Sequence, residues 1–211
     1  GNLDEAINAY EKAIEIKPDY ADTYNNIGIV LKDLGKLEEA IEAYRTAISI
    51  EPNYAEAYYN MGNVFKEQND FDKAREAFNT AIKHRPDYAE AYNNLGILLH
   101  THTFLEDAIK AYKKAIEIKP DCAEIYNNTG IALKDQGKPF KAIAMYKTAL
   151  KIKPDYADAL NNLGNVLKIT DHLREAVSAF NKAILIKPGY AEALNNLGIT
   201  LQELGDLKKS I

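Results

Sequence analysis

Six of the seven prolines, Pro18, Pro52, Pro86, Pro120, Pro154 and Pro188, stand 34 residues apart without one insertion or deletion. A step this strict describes an array of like supersecondary units rather than one globular core. Glycine keeps the same step at Gly28, Gly62, Gly96, Gly130, Gly164 and Gly198, and alanine does so at Ala6, Ala40, Ala74, Ala108, Ala142 and Ala176. Units starting at Ala21, Ala55, Ala89, Ala123 and Ala157 give repeats at 21–54, 55–88, 89–122, 123–156 and 157–190, with partial repeats at 1–20 and 191–211.

Within one unit, Tyr24, Ile27, Gly28, Leu31 and Leu34 mark one helical face. After a break at Gly35, Leu37, Ala40, Ile41, Tyr44, Ala47 and Ile48 mark a second, so each unit is predicted to be a helical hairpin. Gly35, Gly137 and Gly205 suit a left-handed residue after the first helix and Asn69 tolerates one. Asp171 fits less well and Thr103 poorly, so the turn at 100–105 is expected to differ. Each proline should end or closely follow a second helix, because it lacks an amide donor and biases its predecessor away from helix. Glycine inside a helix costs roughly 1 kcal/mol against alanine, so its recurrence implies close approach by a neighbouring helix.

Composition narrows the function. Lys and Arg number 26 against 31 Asp and Glu, a net charge of −5 that disfavours a partner held by phosphate charge, so no nucleic acid is expected. No apolar run would cross a bilayer, and the first residues lack a secretory layout, so no membrane partner and a cytoplasmic location are expected. Cys122 alone cannot form an internal disulfide. It replaces the tyrosine found at Tyr20, Tyr54, Tyr88, Tyr156 and Tyr190, which suggests a packing change.

The pattern resembles the tetratricopeptide repeat over all 211 residues. Tyr24, Tyr58, Tyr92, Tyr126, Leu160 and Leu194 stand where the family signature opens on Trp, and Leu31, Phe65, Leu99, Leu133, Leu167 and Leu201 where it has Tyr. Tyr44, Phe78, Tyr112, Tyr146 and Phe180 match the later aromatic. The resemblance implies an all-α solenoid, a right-handed superhelix of antiparallel helical hairpins whose first helices line a concave groove. The partial repeats at the ends read as part of a longer array. Residues 3–16 of one copy are expected to be able to cover residues 191–204 of another, since Leu3-Asp4-Glu5-Ala6-Ile7 and Leu207-Lys208-Lys209-Ser210-Ile211 are equivalent. Light scattering that finds a monomer at high concentration would exclude such end-to-end association.

Chemistry has no visible seat: there is no phosphate-binding glycine loop, nucleophile motif or zinc spacing, and neither a catalytic residue nor a cofactor is expected. His100 and His102 point in different directions on a helix and do not make a metal site. His84 and His172 read as surface or partly packed residues.

The informative set lies on the first helices. Asn26, Asn60, Asn94, Asn128, Asn162 and Asn196 recur without exception. Asn25, Tyr59, Asn93, Asn127, Asn161 and Asn195 precede them. Asparagine is an indifferent helix former, so its repetition has another cause. A carboxamide carries donor and acceptor and can pair with a peptide unit. The resemblance places these residues, with Asn63 and Asn165, in a peptide-binding groove, and Asn26, Asn60, Asn94, Asn128, Asn162 and Asn196 alone are similar to the ladder in the repeat region of O-linked N-acetylglucosamine transferases. Local hydrogen bonding between hairpins is the alternative reading.

Asp22, Glu56, Glu90, Glu124, Asp158 and Glu192 form an acidic row that helix dipoles favour. Lys32, Lys66, Lys134 and Lys168 moderate it, so an extended, neutral to basic peptide is the expected partner. The lysine and arginine clamp of chaperone-tail-binding members is missing, although Asn63 and Asn94 resemble its asparagines. The leading expectation is a non-enzymatic interaction scaffold. The alternatives are the substrate-selecting arm of a larger glycosyltransferase or sulfotransferase, and a scaffold that self-assembles through its ends.

Overall fold

The computed structural model describes residues 3–209, which form twelve α-helices and, among those residues, no strand. They run α1 (Leu3–Ile16), α2 (Ala21–Asp33), α3 (Leu37–Ile50), α4 (Ala55–Glu67), α5 (Phe71–His84), α6 (Ala89–Thr101), α7 (Leu105–Ile118), α8 (Ala123–Asp135), α9 (Pro139–Ile152), α10 (Ala157–Ile169), α11 (Leu173–Ile186) and α12 (Ala191–Lys209). From α2 to α11, first helices of 13 residues alternate with second helices of 14, as the hairpin reading expects.

Packing divides the chain into two compact units, one ending at Leu98 and the other beginning at Leu99, within α6. In the first, α2 packs on α3 and α4 on α5, with α2 also against α4. In the second, α8 pairs with α9 and α10 with α11, while α10 touches both α8 and α12.

In α2, α4, α8 and α10 the glycine of the first helix is where the hairpin closes. A Cβ built on Gly28 would lie 2.5 Å from the Tyr44 ring, and one on Gly130 2.5 Å from Tyr146. The corresponding distances are 2.8 Å from Phe78 for Gly62 and 2.6 Å from Phe180 for Gly164. These four rings are buried, each filling space that only a glycine leaves open. Alanines on both sides of the ring, such as Ala74 and Ala81, are fully buried and let the second helix approach.

All five hairpin turns share one hydrogen-bond pattern. Gly35 N donates to Lys32 O and Lys36 N to Leu31 O, a Schellman closure. The same pair of bonds recurs at Asn69 and Asp70, Thr103 and Phe104, Gly137 and Lys138, and Asp171 and His172. Thr103 adopts φ 66°, beside 59° at Asn69 and 62° at Asp171. The expectation of a different turn at 100–105 is therefore corrected. Thr103 N and Phe104 N satisfy the last carbonyls of α6, and this closure outweighs the roughly 1–2 kcal/mol that a Cβ costs in the left-handed region.

Second helices end at Ile50, His84, Ile118, Ile152 and Ile186, each two residues before a proline, as expected. Pro139 stands in the first turn of α9, where a missing N–H costs nothing. At the far end, the left-handed turn expected at Gly205 does not form: α12 continues through it to Lys209. At Gly35, Asn69, Gly137 and Asp171 the turn leads to a second helix whose aromatic seats on the first helix's glycine, whereas Gly198 has nothing within 4 Å of its built Cβ. The sequence equivalence drawn for Leu207 to Ile211 rests in part on Ser210 and Ile211, which lie outside the described residues.

Candidate functional site

The asparagines of the first helices form two columns with different roles. Asn25, Asn93, Asn127 and Asn161 are buried, while Asn26, Asn60, Asn94, Asn128, Asn162 and Asn196 are half-buried. Asn60 Nδ2 donates to Asn25 Oδ1 at 2.9 Å, Asn162 Nδ2 to Asn127 Oδ1 at 3.0 Å and Asn196 Nδ2 to Asn161 Oδ1 at 3.2 Å. Each bond ties one first helix to the next over the same separation of 35 residues.

Where Tyr59 replaces the inner asparagine, Asn94 Nδ2 donates to its hydroxyl at 3.0 Å and to Asn63 Oδ1 at 2.8 Å. Tyr59 also packs on Tyr88, ring centroids 4.9 Å apart. Asn161 is the most enclosed of the set, 1% exposed, and donates to Glu192 Oε1 at 2.9 Å. The buried inner residues Asn25, Asn127 and Asn161 hold the neighbouring hairpin, while the outer column, Asn63, Asn165 and the inner-column Tyr59 are half-buried and meet solvent in part. Asn195, by contrast with its equivalents, is exposed.

The outer column keeps part of its capacity. Among the described residues the Oδ1 atoms of Asn60, Asn94, Asn162 and Asn196 accept no hydrogen bond, and Asn26 and Asn165 make none through their side chains. A buried side-chain oxygen without a partner occurs in the described residues only at Tyr44, so these carboxamide oxygens are not enclosed. A carboxamide spending one N–H retains an acceptor and a second N–H for a visitor.

The acidic row is also tied across hairpins. Tyr54 donates its hydroxyl to Asp22 at 2.5 Å, and Arg85 pairs with Glu56. Burial first, then the bond to Asp22, pushes the Tyr54 phenol well above its ordinary value, and burial followed by an Asp158 hydrogen bond does so for Tyr190. The hydrogen bond to Glu56 raises the Arg85 guanidinium. At the other end of these helices, burial and then Lys32 push the Lys66 amine down.

The histidines have ordinary uses. His84 stacks on Tyr58, centroids 5.5 Å apart, and His100 Nε2 lies 2.8 Å from Asp135 Oδ2. Cys122, half-buried, precedes α8 at its N-cap. No group of three or more His, Cys, Asp or Glu among the described residues could hold a metal ion. No helix among them is long and apolar enough to cross a membrane.

Sequence-family models described as TPR repeat match residues 1–35, 28–68 and 133–168. Others described as Tetratricopeptide repeat match 59–123, 157–190 and 179–211. Comparison with curated proteins finds no match. Among solved structures the chain is similar to YrrB, a TPR protein with an unusual peptide-binding site, at 26% identity and a TM-score of 0.72, covering 89% of this chain and 96% of that one. It is similar to MamA at 31% identity and a TM-score of 0.67, covering 74% and 92%. A MamA structure from Desulfovibrio magneticus RS-1, at 23% identity and a TM-score of 0.73 over 81% and 97%, shares the fold.

Proposed function

Because this chain belongs to the tetratricopeptide repeat family, an all-α solenoid fold built from helical hairpins, we propose that it is a non-enzymatic interaction scaffold that grips an extended polypeptide along its first helices. The observation that carries this reading is the outer asparagine column, in which Asn60, Asn162 and Asn196 are anchored through one N–H, Asn94 through both, and all four retain an oxygen that accepts no bond among the described residues. Bonds to Asn25, Asn127 and Asn161, and to Tyr59 and Asn63 for Asn94, fix the orientation of the Asn60, Asn162, Asn196 and Asn94 carboxamides before a ligand arrives, which lowers the ordering cost of binding. Both columns take part in the bonds between hairpins, as the local-bonding alternative has it, and what supports ligand contact beside it is the carboxamide oxygen that Asn60, Asn94, Asn162 and Asn196 leave unused among the described residues. YrrB's peptide-binding site supports a peptide as the ligand class.

A net hydrogen bond contributes roughly 0.5–1.5 kcal/mol, and ordering an extended segment costs roughly 2–5 kcal/mol. Affinity from the column alone is therefore modest, micromolar or weaker. Acidic residues at the helix starts favour a neutral to basic peptide.

The test is a peptide array probed with the wild type, with Asn94→Ala combined with Asn128→Ala, and with Asn26→Ala combined with Asn165→Ala. The last pair removes no side-chain hydrogen bond among the described residues, so it separates ligand contact from stability. Parallel weakening of many unrelated basic and neutral peptides by both pairs is the expected result. Unchanged binding by both, with an unchanged melting temperature for the second, would sink the reading.

A further inference from the structure

A second surface lies on the opposite elements of the 123–156 hairpin and uses none of the asparagines. Between α7 and α9, with α8 as its floor, an apolar crevice of about 450 Å³ is lined by Ile109, Ile116, Tyr126, Leu133 and Met145. The equivalent crevice between α3 and α5 measures about 270 Å³ and is lined by Arg45, Lys73 and Glu76 as well as by Tyr58 and Phe65.

Two departures from the repeat go with the larger crevice. Position seven of the repeat reads Ile27, Met61, Leu95, Thr129, Leu163, Leu197, and only Thr129 is shortened and polar. Its hydroxyl donates to its own helix at Ile125 O, 2.7 Å, so it is satisfied without entering the crevice chemistry. At position 22 the long Glu42, Glu76 and Lys110 give way to Ala144, which also lines the opening.

The rim is basic. From Gln136 to Pro154 there are five lysines and no acidic residue, in a chain whose net charge is −5. Lys113 from α7 and Lys138 and Lys141 from the start of α9 border the crevice, and none of the three makes an ion pair among the described residues. Glu117 also borders it, with its carboxylate held by Lys114 at 2.6 Å. Beside this rim Phe140 is 70% exposed, where other repeats carry Glu38, Asp72, Glu106 and Arg174.

We propose that the α7–α8–α9 crevice is a docking site for an acidic amphipathic helix of a partner protein, which seats apolar side chains between Ile109 and Met145 and sets its carboxylates against Lys113, Lys138 and Lys141. The crevice volume lies within the roughly 300–1,000 Å³ of sites that enclose a ligand. A helix laid between two helices presents anchors at i, i+3, i+4 and i+7, the spacing such a crevice reads. The charge selects the partner: an acidic helix is drawn to this lysine rim and turned away by the acidic starts of the first helices. This partner has the opposite charge to the one proposed for the asparagine column, so the two sites are compatible with simultaneous occupation.

The probe is a fluorescein-labelled peptide with leucine at i, i+3, i+4 and i+7 and glutamate elsewhere, read by fluorescence anisotropy. A lysine-for-glutamate version and vesicles of phosphatidylcholine with phosphatidylserine are run beside it. Two variants are compared with the wild type: Thr129→Leu, which restores the apolar residue of other repeats and narrows the floor, and Lys138→Glu with Lys141→Glu. Each is expected to weaken the acidic peptide by roughly tenfold or more, with added salt weakening the wild-type complex. Peptide binding to Asn94→Ala with Asn128→Ala should be unaffected. Equal binding of the lysine version, indifference to both variants, binding to the vesicles without binding to the peptide, or self-association at this face seen by sedimentation would each overturn the proposal.

Discussion

In the hairpin of α4 and α5, Phe78 rests on Gly62; in the hairpin of α8 and α9, Tyr146 rests on Gly130 in the same place. The interiors are near-copies, yet the first joins its neighbour through Tyr59 and the second through Asn127. Their outer faces diverge further: Arg45, Lys73 and Glu76 border one crevice, and Lys113, Lys138 and Lys141 border the other. The 34-residue period thus constrains the positions where helices touch and leaves the remainder free to acquire separate chemistry.

The interior half of the comparison is broken most strongly at the glycines. Gly62→Ala and Gly130→Ala each force a Cβ against a wholly buried ring and should destabilise by about 1–3 kcal/mol, with the larger loss at Gly130, where the approach is 2.5 Å rather than 2.8 Å. Gly198→Ala is the control. Its Cβ meets nothing within 4 Å, so helix propensity alone should raise stability by about 1 kcal/mol. Urea unfolding monitored by circular dichroism measures all three; equal losses would mean that the ring contacts do not limit packing.

The clips give a smaller contrast. Asn127→Ala removes the acceptor of Asn162 and should cost about 1 kcal/mol. Tyr59→Phe should cost only about 0.5 kcal/mol, because Asn94 keeps its bond to Asn63. Hydrogen exchange of α10 and α6 amides would locate each loss at the expected helix. If Tyr59→Phe proves the costlier change, the hydroxyl carries more of that junction than Asn63 does.

Much of this was legible before any coordinates. The proline step gave the hairpin ends, and Gly28, Gly62, Gly130 and Gly164 announced close approach, because a residue that costs helix stability recurs only where its absent side chain is useful. Thr103 takes the left-handed turn because the closure of the turn overrides its local propensity. Gly205 stays helical because the turn depends on a second helix packing back, a tertiary condition not contained in the residue itself. Adjacent asparagines such as Asn161 and Asn162 look alike in a sequence. Their separation into buried anchor and half-exposed arm depends on helical phase against a neighbouring hairpin. The crevice signal was present in Thr129, which breaks an apolar column, and in an α9 free of acids.

The smallest contrast is electrostatic and lies where the two hairpins' first helices end. On α4, Lys66 is half-buried beside Lys32, whereas on α8 Asp135 accepts from His100 at 2.8 Å and pairs with Lys134 at 3.2 Å. Burial works to raise the Asp135 carboxyl, but the bonds from His100 and Lys134 outweigh it and hold it below the ordinary carboxylate value. A folded value below the unfolded one means that the stabilisation is fully present above the ordinary value, near pH 4. It fades as pH falls through the lower folded value. Asp135 is 38% exposed, so solvent screening limits its contribution to about 0.5 kcal/mol. Asp135→Asn should therefore lower stability slightly at neutral pH, and the gap from wild type should close below pH 4 as both carry an uncharged group. Chemical denaturation across that range decides it. A gap that persists in acid would show that Asp135 acts as a neutral hydrogen-bonding group and that charge at this junction does not distinguish the two hairpins.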